Sequence, residues 1–218
     1  MIELKALTKS YRTRAGRHYV FRDLNLTIPT GANVGLLGRN GAGKSTLMRI
    51  LGGIDFPDTG EVLTTKRVSW PLALSGGFQG SLSGRENVKF VCRVYGREHE
   101  LEEKVNWIKS FSELDDYFEE PVKSYSSGMK SRLAFAMSMA FDFDVYLVDE
   151  ITAVGDQAFR DKSRQAFADM RERASIIMVS HDLGTLQKQC DAGIVLEAGE
   201  ARYFDRIDDA VQCYQQVQ

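Results

Sequence analysis

The chain carries almost no net charge: 28 Lys and Arg against 30 Asp and Glu leave −2 over 218 residues. No global field therefore exists to hold a nucleic acid or an anionic membrane by counterion release, and any such partner would have to be met locally. Cysteine is scarce too. Cys92, Cys190 and Cys213 are odd in number, far apart and form no Cys-x-x-Cys pair, which supports neither a disulfide framework nor a zinc site and suits a reducing, cytoplasmic setting. Long apolar runs are missing: no stretch reaches the roughly 18 residues that span a bilayer. Met1-Ile2-Glu3-Leu4-Lys5 also lacks the basic-then-apolar order of an export signal. The expectation is a protein neither secreted nor integral to a membrane, with docking onto a membrane protein left open. Repeats, low-complexity tracts and long linkers are absent as well.

What is present reads as a globular α/β protein. Hydrophobic residues make up 43% and charged ones 27%, ordinary for a folded domain. Apolar and polar residues alternate over Ile2 to Tyr11 and Tyr19 to Ile28, the period of strands with one solvated face, which predicts an antiparallel layer. Val34 to Leu37, Val145 to Val148 and Ile176 to Val179 are unbroken apolar runs, as expected of parallel strands covered on both faces. A helix is predicted from about Gln157 to Arg173, and right-handed crossovers would place the two later runs in one sheet. Between 81 and 142 the spacing becomes helical, with Val88, Val91 and Tyr95 and then Leu101, Val105 and Ile108 on apolar faces, which predicts a helical subdomain inside a single 1–218 domain. Acid gathers there, from Glu98 to Glu120, and reads as a solvated face. Ala198-Gly199-Glu200 signals a hairpin and about Asp208 onward a short amphipathic helix.

Gly38-Arg39-Asn40-Gly41-Ala42-Gly43-Lys44-Ser45-Thr46 matches G-x-x-x-x-G-K-[ST] after an apolar strand and at the opening of a helix, the context the motif requires. Its backbone N–H groups would curl around phosphate oxygens. Lys44 would bridge the β- and γ-phosphates, Ser45 would offer its hydroxyl to Mg²⁺, and the helix N-terminus would add positive potential. The strand Val145 to Val148 ends in Asp149-Glu150, where open α/β sheets place ligands. Asp149 is expected in the Mg²⁺ shell and Glu150 beside the attacking water, the arrangement of a hydrolase and not merely a binder, though one shared by many P-loop families.

Ser124-Tyr125-Ser126-Ser127-Gly128-Met129-Lys130, placed between these two motifs and before a helix predicted from Ser131 to Phe141, resembles the signature of ATP-binding cassette proteins. A Ser-Ser-Gly before a helix can also be a simple N-cap. The resemblance implies a cassette with a RecA-like parallel core, an antiparallel β layer and a helical subdomain. It implies that Ser126 and Gly128 meet the γ-phosphate of the opposite subunit, although Ser127 and Met129 depart from the pattern. It further implies that Asp156 lies in the loop crossing a dimer interface, that His181 contacts the γ-phosphate, that Tyr11 stacks on adenine with core packing as its rival, and that Gln79 links Mg²⁺ to a membrane partner. Counting back from Glu86-Asn87 puts that glutamine's place near Leu74 instead.

The stretch Gly76 to Asn87, with Tyr125 to Met129 and Asp149 to Asp156, looks like the ATP-binding subunit of bacterial capsular polysaccharide exporters. That likeness implies a homodimer that sandwiches two ATP, peripheral on the cytoplasmic face of the inner membrane, driving integral membrane permease subunits and acting indirectly with periplasmic and outer-membrane export proteins, with no nucleic acid partner. An end soon after the hairpin favours the capsule branch over O-antigen exporters, which often add a carbohydrate-binding domain. Teichoic acid export, a soluble cassette acting on nucleic acid or ribosomes, and a P-loop kinase are the alternatives at this point.

Overall fold

The computed structural model describes residues 1–14, 16–72, 78–95, 97–149 and 156–216. The chain divides into two compact units, Met1–Pro71 with Phe143–Ile151 and Arg173–Gln218, and Leu72–Asp142 with Thr152–Glu172.

The first unit holds two sheets. Strands β1 (Ile2–Thr13), β2 (Gly16–Ile28) and β4 (Thr59–Thr64) form an antiparallel layer in the order β2-β1-β4, which is the layer that the alternating pattern predicted. The larger sheet runs β5-β6-β7-β3-β8-β9, from β5 (Val68–Leu72), β6 (Val145–Asp149), β7 (Ser175–Val179), β3 (Val34–Gly38), β8 (Ala192–Glu197) and β9 (Glu200–Phe204). Neighbours from β6 to β8 pair in parallel and β9 turns back antiparallel. Every residue of β3 is buried, so its apolar run has no solvated face to alternate with. One core joins the two sheets and α1 (Lys44–Leu51): Leu4, Phe21 and Ile28 meet Leu36, Leu47, Leu147 and Ile194 there, each at most 2% exposed. Asn33 ties the lower end of the sheet, its Oδ1 accepting from Ile176 N at 3.1 Å while its backbone N–H donates to Asp191 Oδ2 at 2.9 Å. Helices α6 (Leu183–Gln189) and α7 (Ile207–Gln216) complete the unit.

The second unit is built from α2 (Gly84–Val94), α3 (Leu101–Ser112), α4 (Ser127–Ala140) and α5 (Gln157–Arg171). It reaches past the 81–142 stretch of helical spacing because α5 packs here through Phe159, whose ring meets Phe111 edge-on at 5.9 Å. Helix α2 opens with a full capping box, Ser83 accepting from Glu86 N and Glu86 accepting from Ser83 N. The acidic segment is not merely solvated. Glu119 takes a forked pair from Arg85, Glu113 accepts from Arg132 and Lys162, and Glu100 pairs with Lys104 at 2.9 Å. Among the described residues no helix is long and apolar enough to cross a membrane.

Candidate functional site

β3 leaves the sheet through Gly38, Arg39, Asn40, Gly41 and Ala42, and α1 begins at Lys44 behind an N-cap of Gly43. Gly43 has φ +101, and a Cβ on it would lie 2.5 Å from Val20 Cγ1 and 2.7 Å from Phe21 Cζ. Both the left-handed backbone and the crowding demand glycine. Ala42 N donates to Arg39 O at 3.1 Å to close the turn, and the first-turn N–H groups of α1 are left as a cluster of donors with the positive end of the helix dipole behind them.

Lys44 folds back over this loop, its Nζ donating to Gly38 O at 2.6 Å and Arg39 O at 3.1 Å. Burial pushes its pKa below the ordinary 10.5, and the charge of Asp149 pulls partly the other way. A partly desolvated ammonium held by neutral carbonyls gains by exchanging them for anionic oxygens, since charge-assisted bonds are roughly twice as strong.

Asp149 ends β6 opposite Val179 of β7, and Val179 in turn stands opposite Leu36 of β3. Three adjacent strand ends thus deliver the phosphate loop, Asp149 and, two residues beyond β7, His181. Asn40, Lys44, Ser45, Thr46, Asp149 and His181 line one cavity of about 240 Å³. Its donors are backbone N–H groups, an ammonium and hydroxyls, and among the described residues that line it Asp149 supplies the carboxylate. That mixture suits a polyanion carrying a hard cation.

The other expected residues are placed as follows. Ser126 is the N-cap of α4, its hydroxyl accepting from Met129 N at 3.2 Å, so the helix starts at Ser127 and not at Ser131: the cap compensates for the weak helix preference of Ser127 and Gly128. Asp156 caps α5, accepting from Phe159 N at 3.0 Å, and also pairs with Arg132 of α4 at 2.8 Å. These contacts hold its pKa below 3.8, the backbone N–H of Phe159 foremost. Gln79 is exposed, its side chain turned toward Ser81 and its backbone N–H donating to Asn87 Oδ1 at 2.8 Å. Ser126, Gly128, Asp156 and Gln79 all belong to the second unit. Glu150 and Leu74 lie outside the described residues.

Tyr11 is not brought to this cavity. Its hydroxyl donates to Asp55 Oδ2 at 2.7 Å, beside Lys9 Nζ on Oδ1 at 2.6 Å, because Lys9 and Tyr11 share a face of β1 two residues apart. The tyrosine of this hairpin that borders the loop is Tyr19, which lines, with His18, Arg39, Asn40, Glu197 and Tyr214, a second cavity of about 560 Å³. Sequence reasoning passed over Tyr19 and Tyr214, whose proximity to the loop depends on hairpin register and on where α7 lands. It also passed over Asn87, a buried amide that donates to the carbonyls of Gln79, Leu82 and Ser83.

The family described as ABC transporter matches residues 21–153. Over 219 aligned residues, all of this chain and 98% of the relative, it is 53% identical to a polysialic acid transport ATP-binding protein, KpsT, of Escherichia coli. It is 46% identical, over 98% of each chain, to the capsule polysaccharide export ATP-binding protein CtrD of Neisseria meningitidis serogroup B. The solved dimeric ATP-binding cassette MJ0796, in a post-hydrolysis state bound to ADP and Pi, matches 95% of this chain and 99% of that one with a TM-score of 0.74 at 23% identity, a likeness of fold. With a phosphate loop, a strand-end carboxylate and a histidine gathered on one cavity of this fold, the chain belongs to the ABC transporter family, as one of its ATP-binding ATPase cassettes.

Proposed function

We propose that this chain is the ATPase subunit of an exporter that moves a lipid-linked capsular polysaccharide across the bacterial inner membrane through a separate permease. The convergence of Lys44, Ser45, Asp149 and His181 on one cavity carries the nucleotide half of this reading, and likeness to capsule export ATP-binding proteins along the whole chain carries the substrate half. Lys44 binds the β- and γ-phosphates, His181 meets the γ-phosphate, and Glu150 orients the attacking water. The phosphate chain lies along the loop and the first turn of α1, and the base is received at the β1–β2 hairpin.

Mg²⁺ fits the donors that are present. Ser45 and Asp149 would hold it, and among the described residues no group of three or more His, Cys, Asp or Glu could bind a metal without help. Mg²⁺ is characteristically held in this way, by one or two protein oxygens completed by waters and substrate phosphates. When bound, it neutralises charge developing on the phosphate oxygens. Gln79 is retained as the residue linking this region to the permease.

Two copies close head to tail, with Ser126 and Gly128 of one meeting the γ-phosphate held by the other and Asp156 at their interface. Apart from its chain neighbours and the backbone of α4, the described residues put only Ser126 Oγ, at 3.8 Å, within 4 Å of where a Cβ on Gly128 would stand. The chain's described contacts therefore leave room there for an approaching phosphate. The segment 78–94 is the surface offered to a cytoplasmic helix of the permease: Phe78 and Leu82 are half-buried, while Phe90 and Val94, one turn apart on α2, are 57% and 62% exposed.

The test has two arms. The purified protein with Mg-ATP should release inorganic phosphate with no acceptor present, and a strain lacking it should keep its capsular glycan inside until the wild-type protein is restored. Phe78→Ala or Leu82→Asp should spare basal hydrolysis yet abolish export and weaken co-purification with the permease. Loss of basal hydrolysis would mean that both side chains serve packing instead. An active ATPase whose deletion left the capsule on the cell surface would refute the substrate assignment.

A further inference from the structure

Helix α7 lies unusually close to the central sheet. A Cβ on Gly193 of β8 would stand 2.4 Å from Ala210 Cβ and 3.2 Å from Ile207 Cδ1, and one on Gly35 of β3 would stand 2.9 Å from Ile207 Cδ1. Both glycines are there because the helix is seated where their side chains would go. Val34 and Gly35 pair with Ala192 and Gly193 at the entry end of β3 and β8, so Ile207 and Ala210 fix the start of α7 over that end. Two further contacts hold it, Ile207 N donating to Asp191 O at 2.9 Å and Gln187 of α6 donating to Asp208 at 2.8 Å.

Ile207, Ala210, Val211 and Tyr214 fall at i, i+3, i+4 and i+7, one face of a helix. At about 1.5 Å per residue, Tyr214 lies roughly 10 Å further along, toward the exit ends of the same strands, where the phosphate loop begins. The cavities agree with that placement. Tyr214 lines the 560 Å³ cavity with Arg39, Asn40 and Gly41, and also a smaller one of about 120 Å³ with Gly38, Asn40, Lys44, Ser180 and His181. Its ring is half-buried, and its hydroxyl has no hydrogen-bond partner among the described residues.

We propose that Tyr214 is a positioning residue for ATP hydrolysis, a wedge carried by the C-terminal helix that sets the spacing between the phosphate loop and the Ser180–Leu183 turn, and so the reach of His181 toward the bound γ-phosphate. The inference rests on the nucleotide site proposed above. The ring acts by filling space, since side chains packed on two loops restrict both. Removing it frees the turn bearing His181, while the loop's own N–H groups and Lys44 still bind the phosphates.

The experiment measures ATP affinity, kcat, KM and melting temperature for wild type, Tyr214→Phe, Tyr214→Ala and Gln212→Ala, the last an exposed residue of the same helix. Tyr214→Ala should lower kcat about tenfold with KM and ATP affinity within threefold, the split expected when geometry is lost at the reacting phosphate only. Tyr214→Phe should restore kcat to within threefold of wild type, and Gln212→Ala should match it. If Tyr214→Ala keeps kcat within twofold, the proposal is overturned. Should Tyr214→Ala melt early, Tyr214→Val, which keeps apolar contact close to the helix but is too short to wedge the two loops, takes its place under the same criterion. Equal losses in affinity and kcat, or a Phe variant as poor as Ala, would also overturn it. A wild-type protein that binds no ATP would instead remove the assignment of the site itself.

Discussion

Replacing Lys44 with alanine tests the phosphate site most directly, and the structure gives the size of the effect. The ammonium is held at 2.6 Å and 3.1 Å by two loop carbonyls, two donor directions that phosphate oxygens would take over. Hydrogen bonds to charged groups contribute about 1.5 to 3 kcal/mol each, so losing two costs about 3 to 6 kcal/mol. At 1.4 kcal/mol per decade that is roughly 10² to 10⁴ in Kd. Stability should move little, and the sign supports this. The fold holds the Lys44 pKa below 10.5, so folding disfavours the charged form, and deleting the charge removes a small penalty. A fluorescent ATP analogue titrated by anisotropy reads the affinity, and a thermal melt without nucleotide controls for folding. Affinity within a few-fold of wild type, with an unchanged melt, would refute the placement of the phosphates. A large fall in melting temperature would refute the claim that Lys44 serves binding and not the fold.

Glu150→Gln should bind ATP as wild type does, hydrolyse it about 10² to 10⁴ more slowly, and accumulate as a dimer on a sizing column run with Mg-ATP; a monomer alone would contradict the head-to-tail sandwich. Asn87→Ala removes the bonds that pin the segment before α2, one accepted from Gln79 N and the two that its amide hydrogens can donate among the carbonyls of Gln79, Leu82 and Ser83, and at about 0.5 to 1.5 kcal/mol net for each the urea midpoint should fall by the equivalent of about 1.5 to 4.5 kcal/mol, whereas a loss below 1 kcal/mol would mean that the hub is not structural. The Asp55 cluster predicts acid sensitivity. Burial pushes the Asp55 pKa up, but hydrogen bonds from Lys9 and Tyr11 outweigh it and leave the carboxylate below 3.8, so its contribution is present above pH 3.8 and is lost as pH falls through the lower folded value. Asp55→Asn should therefore be less stable than wild type at pH 7, the gap closing below pH 3.8, and a gap that persists at pH 2 would count against the ion pair.

Much of the site was legible because its parts are contiguous in the chain. Gly38 to Thr46 is a strand end, a turn and a helix start in nine residues, and the Gly43 backbone at φ +101 is a local demand that glycine announces. The apolar runs of β3, β6 and β7 and the hairpin at Ala198-Gly199, where both residues have positive φ, were equally local. Where the local pattern left a choice, a side chain had two places to go. Tyr11 can face a base or a carboxylate, and only the tertiary structure brings Asp55, 44 residues away, within hydrogen-bond reach. Ser126 can cap a helix or touch a phosphate, and within one chain it caps.

By itself the sequence determined the element types, the phosphate loop and the family, since each depends on neighbours in the chain or on motif spacing. Strand order was decided by tertiary structure alone. β3 inserts between β7 and β8, more than 130 residues later in the chain, because its fully apolar run must be covered on both faces and paired on both edges. That insertion, and no local signal, carries Asp149 and His181 to Lys44. The seating of α7 against Gly35 and Gly193, which sets Tyr214 beside them, depends in the same way on two surfaces that meet only after the sheet has formed.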